Sequence, residues 1–165
     1  HRSQPSSALT TLLPEAIRSN RNFLPEETLV LVGYYESTKH LDWIRSRKLF
    51  NIRIPLLNTS FYIDQSITAA QYLLLHNQSE PHSSNLLKLI PRGVRIFTKK
   101  ELIKNGYPSS PTKNLYLVFD IADDIESEFL RFKWDVKKLK KYRKGKGYAL
   151  PFGTDLHELM QCAIS

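Results

Sequence analysis

The chain has 165 residues, with 24 Lys and Arg against 16 Asp and Glu and a net charge of +8. This length supports one domain with a real core, and 41% hydrophobic with 24% charged residues is ordinary for a soluble globular protein. No apolar run approaches the roughly 18 residues that span a membrane, and the N-terminal HRSQPSS has no apolar signal region.

The chain opens on His1 rather than Met, which reads as a processed chain or a module of a larger protein, with other domains of that parent as possible partners. Cys162 is the single cysteine, so neither an internal disulfide nor a CxxC metal pair can form; a reducing, cytoplasmic setting fits. Ser6 to Asn20 places Leu9, Leu12, Leu13, Ala16 and Ile17 at helical spacing, interrupted by Pro14. Leu29 to Tyr35, LVLVGYY, is a short uncharged run that suits a strand covered on both faces. Gly33 within it marks a bulge or a close approach by another group. Ser37 and Thr38 offer N-cap oxygens for a helix over 38–50, and Asn51 to Ile54 alternates like a second strand.

Phe61 to Ile63 reads as a short strand. Asp64 then caps an expected helix from Gln65 to His76, with Ile67, Ala70 and Leu74 on its apolar stripe. Asn77 to Ser84 is a loop, and Asn85 to Ile90 fits helix or strand. Pro91-Arg92-Gly93 reads as a turn before a strand from Val94 to Phe97. Thr98-Lys99-Lys100-Glu101 matches a capping box, predicting a helix from Lys99 to Asn105 that Gly106 stops. Tyr107 to Asn114 is a proline-bearing loop. Leu115 to Ile121, LYLVFDI, is the second strong strand and is expected to pair with Leu29–Tyr35. Ala122 to Phe132 suits a helix with an acidic first turn. Lys137 to Gly147 reads as a mobile basic loop, and Thr154 caps a final helix from Asp155 to Ala163. These elements predict a single α+β domain over 1–165, a mixed central sheet with helices packed against it.

The chemistry-bearing motifs are sparse. There is no GxxxxGK[ST] phosphate loop, no three-glycine dinucleotide turn and no GxSxG elbow. His76 and His82 lack a third ligand at metal spacing, so no metal site, cofactor or catalytic set is expected. Glu101, Asp120 and Asp123 are the carboxylates a metal-dependent nuclease could use, but the acid-x-Lys step after Asp120 is missing.

Charge is more informative. Arg131 to Lys146 holds nine cations against Asp135 alone, and aromatics are interleaved with them. That pattern supplies phosphate contacts beside stacking rings, and points to nucleic acid as partner, DNA ahead of RNA. The expected interface is Arg131, Lys133, Trp134, Lys137, Lys138, Lys140, Lys141, Tyr142, Arg143 and Lys144. A second set surrounds the first strand and helix: Tyr34, Tyr35, His40, Trp43, Arg45, Arg47, Asn51 and Arg53, where base contacts would arise. The expected role is a target-recognition domain of a restriction- or modification-type enzyme. Apart from a protein–protein adaptor, the alternative is a small enzyme.

For that alternative, the order strand Leu29–Tyr35, Ser37-Thr38, basic-ended helix, strand Phe61–Asp64, and helix with Ala69-Ala70 and Tyr72 is loosely similar to ADP-ribosyltransferases over about the first half of the chain. The resemblance implies NAD held between those strands. Its Glu-x-Glu spacing is met only by Glu126 and Glu128, on a predicted helix.

Overall fold

Strand β1, Leu29–Tyr34, is the axis of the fold: its four middle residues are buried, as an uncharged run flanked on both faces requires. In the computed structural model the described residues are 28–54, 56–57, 60–61, 65–80, 82–123, 125, 129–143 and 150–164. The expected helix at Ser6–Asn20, residues 62–63 of the expected strand at Phe61–Ile63, the expected cap Asp64, and most of the loop end near Gly147 lie outside them.

After β1, the Ser37 side chain accepts the His40 backbone N–H at 3.2 Å and starts helix α1, Thr38–Arg47. Lys48 closes the helix in the left-handed region, at φ 58°. There follow β2 (Leu49–Arg53), a small hairpin of β3 (Leu56–Leu57) and β4 (Ser60–Phe61), and a single helical turn, α2 (Gln65–Thr68). Next come β5 (Tyr72–His76), the long β6 (Asn85–Thr98), α3 (Lys99–Lys104) and β7 (Leu115–Ile121). The chain ends with β8 (Lys133–Trp134), a 3-10 turn at Val136–Lys138, β9 (Phe152–Asp155), α4 (Leu156–Met160) and β10 (Ala163–Ile164).

Six strands form one mixed sheet in the order β2-β7-β6-β5-β1-β9. Among the described strands of this sheet only the β1–β5 pair is parallel. The sheet curls because β6 serves two neighbours. Its first part pairs with β5 and its second with β7, and the register shifts between Leu89 and Val94. The curl brings β2 over β1. A Cβ on Gly33 would lie 2.4 Å from the tip of the Phe50 ring, so that close approach is what the glycine permits.

Alternation along the strands divides the interior in two. Leu31, Leu73 and Leu75 face inside the curl with Phe50, Leu117 and Phe119, closed by Trp43 and Ile44 of α1 and Leu102 of α3. Val30, Val32, Tyr72 and Leu74 face the other way and are covered by Trp134, Val136, Leu139 and Leu159. The architecture is α+β, a mixed sheet with helices packed on it. Among the described residues no helix is long and apolar enough to cross a membrane.

Several expectations need correction. The helix expected over Gln65–His76 ends at Thr68, and Tyr72–His76 is a fully buried strand. Leu115–Ile121 does not pair with β1: β5 and β6 lie between them. Pro91-Arg92-Gly93 is the irregular centre of β6 rather than a turn between elements. Helix α1 stops at Arg47, not at residue 50. The described part of Ala122–Phe132 is not α-helical. Asp155, not Thr154, caps the last helix, its carboxylate accepting the Glu158 N–H at 2.6 Å. The capping box at Thr98 and Glu101 forms as the sequence predicts, and Gly106 follows it at φ 82°.

Candidate nucleic-acid interface

The curl leaves an open cleft of about 1480 Å³ between β2, the loop after α3 and the segment following the 3-10 turn. Its deepest side chains come from the junction of α1 and β2. His40, at the first turn of α1, accepts the Glu36 backbone N–H through Nδ1 at 3.0 Å. Its Nε2 therefore carries the proton and donates to Asn51 Oδ1 at 3.1 Å. Burial pushes the His40 pKa below its ordinary value, keeping the ring neutral. The ring lies near parallel to Trp43 and Phe50, at 6.2 and 6.5 Å between centroids, and edge-on to Tyr107 at 5.6 Å. Burial, the largest cause, raises the pKa of Tyr107, whose phenol lies beside Asn51 and Ser109. The floor is thus aromatic and neutral, with an amide held in one orientation.

The rim differs in charge. Arg53, Lys113, Lys140, Lys141 and Arg143 line the cleft and are exposed, whereas Glu36 is the one carboxylate among the described lining residues. Neither of the two ion pairs among the described residues, Lys48–Asp123 and Arg95–Asp120, uses a rim cation. Tyr34 and Tyr142 also line it. Each meets the buried His76 ring edge-on, at 5.5 and 5.9 Å, so the basic segment is docked on the end of β5.

Eight residues singled out in the sequence share this cleft: Tyr34, His40, Asn51, Arg53, Lys140, Lys141, Tyr142 and Arg143. The others lie elsewhere. Tyr35 is buried and donates its hydroxyl to Glu80, and burial with that carboxylate pushes its pKa up to about 12. Trp43 is buried with its indole N–H on the Asn105 carbonyl at 2.9 Å. Arg45 donates to Asn85, and Arg47 lies beside Gly106. Trp134 is 0% exposed, so its ring offers no stacking face. Arg131 lies over Phe132 at 4.8 Å. Lys133, Lys137 and Lys138 are exposed away from the cleft, and Lys144 lies outside the described residues. Tyr107, Lys113, Glu36 and Phe50 line the cleft without belonging to either expected set. An aromatic ring and a lysine inside the otherwise small, polar run YPSSPTKN were the available signal.

The carboxylates of the nuclease alternative do not converge. Glu101 closes the capping box, Asp120 pairs with Arg95 at 2.7 Å, and Asp123 is an exposed partner of Lys48 at 3.7 Å. Among the described residues no three His, Cys, Asp or Glu side chains gather as metal ligands. The order that resembles ADP-ribosyltransferases is altered too, since Tyr72 sits on a strand beside β1. Cys162 is buried, and desolvation raises its pKa, which disfavours a reactive thiolate. No protein-family model, curated protein or solved structure matches this chain.

Proposed function

We propose that this chain is a nucleic-acid-binding module, DNA ahead of RNA, that takes its ligand in the cleft and acts as the target-recognition part of a restriction- or modification-type enzyme in the cytoplasm. One observation carries this reading: exposed cations from three separate stretches of chain converge on the rim of a cleft whose walls are aromatic. Cations at the rim suit phosphates, which supply affinity and position; rings and a fixed amide below suit bases, which supply selectivity. The rim cations are free of ion pairs with described carboxylates, so binding a phosphate breaks no internal pair.

The test is binding of labelled short DNA and RNA strands, followed by fluorescence anisotropy across a salt series. Each phosphate contact contributes a slope of about −0.7 in log affinity against log salt on a single strand, and about −0.9 on a duplex. A slope equivalent to several contacts is expected. No binding at low salt, or binding that ignores salt, would end the proposal.

A further inference from the structure

We infer that the cleft receives an unpaired base, with Asn51 as the side chain that reads it and His40 as the residue that positions Asn51. This rests on the nucleic-acid reading above and says which part of a nucleic acid enters.

The argument starts from depth. His40 and Phe50 are buried and Asn51 and Tyr107 half-buried, while Arg53, Lys113, Lys140, Lys141 and Arg143 are exposed. The neutral, ring-lined part therefore lies below the charged part. A phosphate bound at the rim leaves the attached base to point downward. In a paired duplex the base edges lie inside grooves, and proteins reach them by inserting a helix or ribbon. A concavity cannot make that insertion. Only a base already outside the stack, in a single strand or extruded from a duplex, can meet the floor.

Floor chemistry points the same way. Phosphate would be met by charged donors, whereas this floor offers neutral dipoles. His40 Nε2–H occupies Asn51 Oδ1, so the amide cannot flip, and its NH2 group is the end left to donate. The amide donor, held in one orientation, lies beside the Tyr107 phenol, which can donate or accept, and together they suit the hydrogen-bonding edge of a base. Tyr34, Tyr107 and Tyr142, each half-buried, supply ring surface alongside. The cleft volume of about 1480 Å³ leaves room for flanking sugars and phosphates beyond one base.

The experiment compares ligands on the unaltered protein first. Labelled ten-residue strands of DNA and of RNA, the perfect duplex, a duplex with a central mismatch, and a strand of ten abasic phosphates are titrated by anisotropy at one salt concentration. Base-bearing single strands are expected to bind at least about tenfold tighter than the abasic strand, from stacking and edge contacts. The mismatched duplex should bind tighter than the perfect one, and the DNA and RNA arms tell which sugar is preferred. Asn51→Ala should remove the edge-contact share of that increment while leaving the abasic affinity alone. Tyr107→Phe, which keeps the ring, should remove part of the same increment. Equal affinity for base-bearing and abasic strands, a preference for perfect duplex, or equal weakening of both strands by Asn51→Ala would overturn the inference while leaving phosphate binding intact. Absence of binding to every ligand would overturn the proposed function as well.

Discussion

His76 shows how a single side chain ties the core to the candidate site. It closes β5 at 5% exposure, edge-on to both Tyr34 and Tyr142, and its Nε2 has no hydrogen-bond partner among the described residues. Desolvation without a compensating partner pushes its pKa down from 6.5 to about 4. The unfolded chain takes up a proton as pH falls below 6.5, while the native ring refuses it until about pH 4. Native stability is therefore full above the unfolded value and declines as pH drops through this window, by up to about 3 kcal/mol from this group. His40 is lowered by burial as well and adds to the decline in the same direction. His76→Phe keeps a ring between the two tyrosines and removes the titrating nitrogen. Urea melts at pH 7 and about pH 4.5 should show a smaller loss of stability on acidification in the variant than in the parent, with the His40 share remaining. If both proteins lose the same stability, His76 is not a source of the acid sensitivity.

At the level of elements, end signals were legible and strand partners were not. Ser37, the Thr98–Glu101 pair and Gly106 act within four residues of themselves, so their chemistry is written locally. Tyr72–His76 reads as helix in the sequence because Ile67, Ala70 and Leu74 mimic a helical stripe. A strand buried on both faces shows no alternation to contradict it, and neither Gly nor Pro marks the break after Thr68. Pro91-Arg92-Gly93 has the composition of a turn and also of a strand irregularity, and only the pairing of β6 on both sides decides between them. The same holds for the site. His40, Asn51 and Arg53 follow from the strand and helix around them, whereas Tyr107 and Lys113 reach the cleft through a loop whose path the sequence does not specify. Trp134 reads as a surface ring among cations, yet Trp134, Val136 and Leu139 turn inward across a two-residue strand and a 3-10 turn, a combination with no single period. The end of α1 offers a direct test of these local rules. Lys48 holds φ 58° and ψ 41°, a conformation costly for any residue with a Cβ. Its ion pair with Asp123, at 3.7 Å and mostly exposed, returns little. Lys48→Gly should raise the thermal midpoint, corresponding to about 0.5–1 kcal/mol of added stability. A lower midpoint would show that the Lys48 side chain contributes more than its backbone costs.

Across the whole molecule, net charge and charge placement make separable contributions. An excess of +8 attracts any polyanion from a distance. A site requires cations that touch the same strand at once. The basic segment is split by its own packing: Trp134, Val136 and Leu139 turn inward onto the sheet, leaving Lys133, Lys137 and Lys138 exposed away from the cleft and carrying Lys140, Lys141 and Arg143 to its rim. The Lys140 backbone N–H is fixed to the Glu158 carboxylate at 2.7 Å, and that carboxylate also accepts the Thr154 hydroxyl at 2.9 Å, so the path to the rim is held independently of the lysine side chains. Two triple variants follow, Lys140→Glu with Lys141→Glu and Arg143→Glu, and Lys133→Glu with Lys137→Glu and Lys138→Glu. Each removes the same charge, so general attraction falls equally in both. At a salt concentration where the screening length is about 8 Å, that shared loss should be small. The rim triple should in addition lose direct phosphate contacts, reducing affinity for a single strand by at least about tenfold and flattening the salt slope by roughly two. The other triple should leave the slope nearly unchanged. Equal losses in the two proteins would mean that the ligand responds to overall charge and makes no use of the cleft.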